Sequence, residues 1–100
     1  MYESQKEGYT ADQYLNTAKA IMAERGKEYD QEDGERSIAD TVRAFNAITG
    51  NHLTESDGWV FMCVLKLVRQ CSKPGLHRDS AVDLIAYSAL LAESLEEVYK

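Results

Sequence analysis

Apolar residues along most of the chain recur at spacings of three and four, the period of an amphipathic helix. This pattern predicts four helices, over residues 11–25, from Glu35 or Ser37 to about 49, 54–72 and 79–98. No segment alternates between apolar and polar residues over a useful length, so no strand is expected. The short connections between the helices favour an antiparallel four-helix bundle over residues 10–100. Residues 1–9 are predicted to form a flexible N-terminal arm.

The ends of the predicted helices carry recognisable capping signals. Thr10 with Gln13 resembles a capping box, and Thr54 with Asp57 three residues later marks the start of the third helix. Asp79 is expected to cap the fourth helix. Glycines at positions 26 and 50 are expected to end the first two helices, and a Pro-Gly pair at 74–75 to end the third.

The third helix is apolar on nearly every face between Val60 and Val68. A helix of this kind is expected to be buried by its neighbours, so it is predicted to lie at the centre of the bundle. Trp59, near its start, is predicted to be a core or interface residue. Because a chain this short has few elements to cover so much apolar surface, a homo-oligomer is expected.

Composition narrows the classes of partner. The 100 residues carry a net charge of −6 and 44% hydrophobic residues, which is ordinary for one soluble domain. An acidic chain lacks the basic footprint needed for stable binding to nucleic acid or an anionic membrane. Cys63 and Cys71 are too far apart on one helix for a disulfide, and no zinc pattern is present. Reduced thiols and the absence of a signal-peptide core predict a cytoplasmic protein.

Lys66 and Arg69 are the main candidates for chemistry, because they emerge from the most apolar segment of the chain. Charges in such a place require a partner. Asp83 lies among apolar residues of the fourth helix and is expected to meet Lys66 or Arg69 across the helix interface. Two interpretations remain open: a buried ion pair that fixes the helix register, or a pocket whose charges hold an anionic ligand.

Four further residues are predicted to lie at the rim of such a pocket. Lys27 and Tyr29 belong to a loop that is rich in functional side chains, where a lysine suits a phosphate and a tyrosine suits a base or ribose. His77 and Asp79 precede or begin the fourth helix, whose positive end favours an anion. No nucleophilic triad and no glycine-rich phosphate loop is found, so catalytic residues are not assigned.

Together these residues form a pattern that resembles a family of small helical proteins encoded by phages and prophages. That family is similar to the all-α nucleoside triphosphate pyrophosphohydrolases, the MazG-like and dimeric dUTPase-like group, and to phage nucleotide-modification domains. The resemblance covers about residues 24–93. Its motifs are Lys27-x-Tyr29-Asp30, a helix with Arg36 and Phe45, Leu65-Lys66-Leu67-Val68-Arg69, and His77-x-Asp79-Ser80-x-x-Asp83-Leu84-Ile85-x-Tyr87.

The resemblance implies a helical, oligomeric protein that handles nucleotides. The related hydrolases hold magnesium with a Glu-x-x-Glu pair and a Glu-x-x-Asp pair. In this chain Asp83 matches the final aspartate, but Ser80 stands in place of the glutamate before it, and Lys66-x-x-Arg69 stands in place of the first pair. Two cations cannot supply the oxygen ligands that magnesium needs, so no metal site is predicted.

Three functional hypotheses follow. The leading one is a phage-type protein that binds a nucleotide or another phosphorylated small molecule at a degenerate MazG-like site. The second is a small acidic inhibitor or interaction protein that acts on a host enzyme or defence complex. The third is an active, magnesium-dependent pyrophosphohydrolase with carboxylates from Glu32, Asp33, Glu35 or a neighbouring subunit. No cofactor other than that magnesium is expected.

Overall fold

The computed structural model describes residues 8–28, 37–72 and 74–100 and, within residues 25–28, the backbone only. It contains four helices: α1 (Ala11–Glu28), α2 (Ile38–Thr49), α3 (Glu55–Cys71) and α4 (Arg78–Tyr99). No strand is found in these residues. The all-α class and the helical bundle predicted from the apolar spacing are therefore confirmed.

The predicted capping signals at the starts of α1 and α3 are present as hydrogen bonds. The Thr54 hydroxyl accepts from the Asp57 amide at 3.1 Å, and the Asp57 carboxylate accepts from the Thr54 amide at 2.9 Å. Thr10 and Gln13 make the equivalent reciprocal pair before α1. Gly50 ends α2 in the left-handed conformation, with φ of 77°, where a residue with a Cβ atom is disfavoured.

Two predicted helix boundaries are wrong. Gly26 does not end α1, whose backbone continues to Glu28. A glycine inside a helix costs only about 1 kcal/mol relative to alanine, and the lysine and glutamate that follow it are good helix formers. Asp79 is not the cap of α4: His77 holds that position and Asp79 lies in the first turn. A carboxylate there still benefits from the positive end of the helix.

The largest helix interface is the antiparallel contact of α3 with α4, while α1 packs on α4 and α2 packs on α3. Ser56 and Ser94 hydrogen-bond at 2.7 Å near one end of the α3–α4 interface, and Lys66 meets Asp83 nearer the other. The buried cluster between them contains Trp59, Tyr87 and Leu90, with Met22 of α1 packed against it. The core is therefore centred on the α3–α4 pair.

The expectation that α3 is buried on nearly every face is wrong for the single chain. Its buried residues are Gly58, Trp59 and Lys66. On another face Phe61 is 69% exposed and Val64 is 47% exposed. The reason is that α3 has neighbours on two sides only, α2 and α4, among the described elements. More of the buried positions belong to α4.

Gly58 allows the close approach of α2 to α3. A Cβ atom at this position would lie 2.8 Å from side-chain carbons of both Ile38 and Val42. Since β-branched side chains have few alternative rotamers, neither neighbour moves away cheaply.

Gly58→Ala is therefore expected to lower the free energy of unfolding by about 1–2 kcal/mol, because overpacking outweighs the gain in helix propensity. Urea denaturation would measure the loss. The double variant with Val42→Ala is the control, since its loss should be smaller than the sum of the two single losses. An unchanged or increased stability of Gly58→Ala would show that the interface has room for the methyl group.

Candidate functional site

Lys66 and Asp83 form an ion pair across the α3–α4 interface, as the sequence predicted. The Lys66 ammonium lies 3.1 Å from the Asp83 carboxylate, and the two side chains are 9% and 14% exposed. Two charges removed from water in this way stabilise each other, because each offsets part of the desolvation cost of the other. The pair joins α3 to α4.

The Tyr87 ring lies beside the ion pair and links it to the core. The Lys66 ammonium lies 5.9 Å from the centre of the Tyr87 ring, within the range of a cation–π contact. Tyr87 in turn stacks on Trp59 with ring centres 5.8 Å apart. Trp59 is thus a core residue, in agreement with the interpretation from sequence.

Hydrogen bonds from Gln70 hold the connection between α3 and α4. Its side chain donates to the Gly75 carbonyl at 3.0 Å and accepts from the His77 amide at 3.1 Å. The His77 ring nitrogen Nδ1 lies 2.6 Å from the hydroxyl of Ser80, which is buried in the first turn of α4. These contacts place the His77 ring beside the start of α4.

Arg78 is a residue that the sequence interpretation missed. It is only 4% exposed, although it is a charged residue at the first position of α4. The Tyr9 ring covers its guanidinium at 4.1 Å, and Tyr9 also contacts the Tyr14 ring at 5.1 Å. A cation at the positive end of a helix is electrostatically unfavourable. The contact with the Tyr9 ring offsets part of this cost for Arg78.

The other predicted site residues are distributed less tightly. Arg69 is exposed near the end of α3 and does not share the burial of Lys66, and Asp79 is exposed in the first turn of α4. Lys27 lies in the last turn of α1, but its side chain is outside the described residues, as is all of Tyr29. Of the seven predicted residues, the structure joins Lys66 to Asp83 and brings His77 and Asp79 to the start of α4.

The sequence contains a charge pattern that could have predicted a basic region where α3 ends and α4 begins. No aspartate or glutamate occurs in residues 58–78, although the chain has 17 of them. The same segment contains Lys66, Arg69, Lys73 and Arg78, together with His77. An acidic protein therefore concentrates positive charge from the second half of α3 to the start of α4, with Lys73 outside the described residues.

Metal ligands are not clustered in the parts of the chain that the structure describes: no group of three or more His, Cys, Asp or Glu is placed to hold an ion. Glu32, Asp33 and Glu35 of the hydrolase hypothesis lie outside these parts. Among the described helices, none combines the length and the apolar character that crossing a bilayer requires.

A pocket of about 330 Å³ lies away from the ion pair, between the start of α3 and the last turns of α4. Its wall includes the carboxylates Glu55, Glu93 and Glu97 and the apolar side chains Leu90 and Val98. This pocket is acidic, so it is unsuited to a phosphate.

Fold and site together define a small all-α protein with a buried interhelical ion pair. Its basic connection is the segment from Lys66 in α3 to Arg78 in α4, which contains no carboxylate. A family model described as a domain of unknown function, DUF6378, matches residues 13–95. The chain belongs to this family, and the match includes α2 and α3 in full and most of α1 and α4. Searches of curated proteins and of solved structures found no match.

Proposed function

We propose that the protein binds a nucleotide or another phosphorylated small molecule where α3 ends and α4 begins. The observation that carries the proposal is a segment of an acidic protein, residues 58–78, that contains four lysines and arginines and no carboxylate. The first acidic residue after it, Asp79, lies exposed in the first turn of α4. Arg69 and His77 offer exposed groups, and the start of α4 offers backbone amides and the positive end of its dipole. The resemblance to phage-type, MazG-like proteins favours a nucleotide among phosphorylated ligands.

In this proposal the Lys66–Asp83 pair forms the inner wall of the site and does not act as a freely available cation. Its two charges are 3.1 Å apart and buried, so the ligand would be attracted by the groups around it. Arg69 supplies a bidentate donor of the kind that suits phosphate oxygens. His77 is oriented by its contact with Ser80. The site is degenerate with respect to the MazG-like hydrolases because cations replace the carboxylates that hold magnesium there.

Isothermal titration of the full chain against nucleoside mono- and triphosphates and pyrophosphate, with and without magnesium, tests the proposal. At least one nucleotide is expected to bind, and Arg69→Gln is expected to weaken that binding at least about tenfold, since a hydrogen bond to a charged group is lost. Arg43→Gln is the matched control, because Arg43 is an exposed cation on α2 that pairs with Asp40. Its affinity should equal that of the wild type.

Two results would contradict the proposal: no heat from any of these compounds, or equal weakening in the Arg69 and Arg43 variants. The hydrolase hypothesis is decided by the same samples. If pyrophosphate release requires magnesium and is lost in Asp83→Asn under conditions where circular dichroism shows that the variant is folded, the function is catalysis and not binding alone.

The acidic pocket favours a second candidate, a small interaction protein such as a phage-encoded inhibitor of a host enzyme or defence complex. Three carboxylates around two apolar side chains suit a basic or long aliphatic side chain from a protein partner. This surface lies at the opposite end of α3 from the basic connection. If no phosphorylated compound binds, the interaction protein becomes the better supported function.

A further inference from the structure

One side of α3 carries a continuous row of exposed apolar side chains, here called the α3 stripe. Its members are Val60, Phe61, Val64, Leu67 and Val68, which are between 45% and 69% exposed. At about 100° per residue they fall within a sector of about 120° centred on Val64. The sector lies opposite Trp59 and Lys66, the residues that α3 buries against α4.

The α3 stripe is large for the surface of a single small chain. Each of its five side chains leaves about half of its area uncovered, which amounts to roughly 400 Å² of apolar surface. A stable interface buries about 800 Å² on each partner, with an apolar centre and a polar rim. The stripe thus has the size of such a centre, and surrounding residues can supply the rim.

We infer that the α3 stripe is the contact surface between two copies of this chain in a symmetric dimer. The spacing of the stripe is the same when read from either end. Val60 and Val68 lie four residues before and after Val64, and Phe61 and Leu67 lie three residues before and after it. Two antiparallel α3 helices related by a twofold axis at Val64 therefore place Phe61 of each copy against the equivalent of Val68 in the other, and Leu67 against the equivalent of Val60, which is the self-complementarity that a twofold interface requires.

The distribution of charge also favours a second copy. Two chains with a net charge of −6 repel each other, and this repulsion is weakest when the surfaces that meet contain no carboxylates. No acidic residue occurs between Gly58 and Arg78. Lys66 is turned into the α3–α4 interface, and in the antiparallel arrangement the two Arg69 residues lie towards opposite ends of the contact. The dimer therefore buries no unpaired charge at its centre, and its contact is independent of the proposed phosphate site.

Sedimentation equilibrium of the full chain, from low micromolar to submillimolar concentration, tests the inference. The wild type is expected to approach twice the chain mass. Phe61→Glu is expected to weaken the dimer at least about thirtyfold, because it removes a central aromatic residue and introduces a buried charge. Ile48→Glu is the matched control, since Ile48 is 84% exposed on α2 and lies outside the stripe. This variant should dimerise like the wild type, and both variants should keep the wild-type helix content.

Mixtures of variants test the antiparallel register. A Phe61→Glu chain mixed with a Val68→Lys chain is expected to form a heterodimer, because the new charges face each other and the second contact remains native. A Phe61→Glu chain mixed with a Phe61→Lys chain leaves each charge against a valine and should stay monomeric. A monomeric wild type at every concentration, or a dimer unaffected by Phe61→Glu, would overturn the inference. If the first mixture stayed monomeric and the second formed a heterodimer, the antiparallel register centred on Val64 would be wrong.

Discussion

Asp83→Asn is expected to lower the free energy of unfolding by about 3–5 kcal/mol, the usual cost of leaving one member of a buried ion pair without its partner. The asparagine side chain has nearly the size of the aspartate side chain. The loss of stability therefore measures the removal of the charge and not the creation of a cavity. The Lys66 ammonium, 9% exposed and 3.1 Å from the lost carboxylate, would be left without a compensating charge. Urea denaturation followed by circular dichroism measures the change.

The control for this variant removes both charges. Lys66→Met with Asp83→Leu replaces the pair by apolar side chains of similar size, which often leaves stability unchanged or improves it. The double variant is therefore expected to be more stable than Asp83→Asn and close to the wild type. If Asp83→Asn lost less than about 1 kcal/mol, the pair would be behaving like an exposed one.

Trp59→Ala has the other large expected effect, a loss of about 3–5 kcal/mol. Trp59 is 2% exposed and stacks on Tyr87 in the middle of the α3–α4 interface. Its removal leaves a cavity that the surrounding helices fill only in part. Since a domain of this size has a total stability of about 5–15 kcal/mol, the variant should unfold at a much lower temperature and urea concentration than the wild type.

Thermal and urea unfolding would measure the effect of Trp59→Ala against a control at the surface. Tyr99 is also aromatic, but it is 81% exposed at the end of α4, so Tyr99→Ala should change stability by less than about 0.5 kcal/mol. Similar losses in the two variants would show that Trp59 is not a core residue of the folded chain.

Helix positions were predictable from sequence because the signals that set them are local. Thr54 and Asp57 cap α3 through atoms three residues apart, and Gly50 ends α2 through its own backbone conformation. Gly26 shows the limit of such signals. A glycine permits a helix to end but does not force it to end. Whether the helix continues depends on the helix propensity of the residues that follow the glycine.

Burial around α3 was not predictable, because it depends on where other helices lie. The run from Val60 to Val68 contains apolar residues that meet α4 and apolar residues that remain uncovered, and the sequence gives both the same character. The charge of Asp83 was more informative, since a carboxylate among apolar residues needs a cation and Lys66 was available. Arg78 was missed because the Tyr9 ring that covers its guanidinium lies far away in sequence.

The packing order of the helices has a consequence for how the chain folds. Helix α2 packs on α3, and α3 packs on α4, so these three helices can associate after closing short loops. Helix α1 instead packs on α4, the element most distant from it along the chain. The docking of α1 therefore carries most of the entropic cost of bringing distant segments together. We expect α1 to dock last, after α2, α3 and α4 have associated.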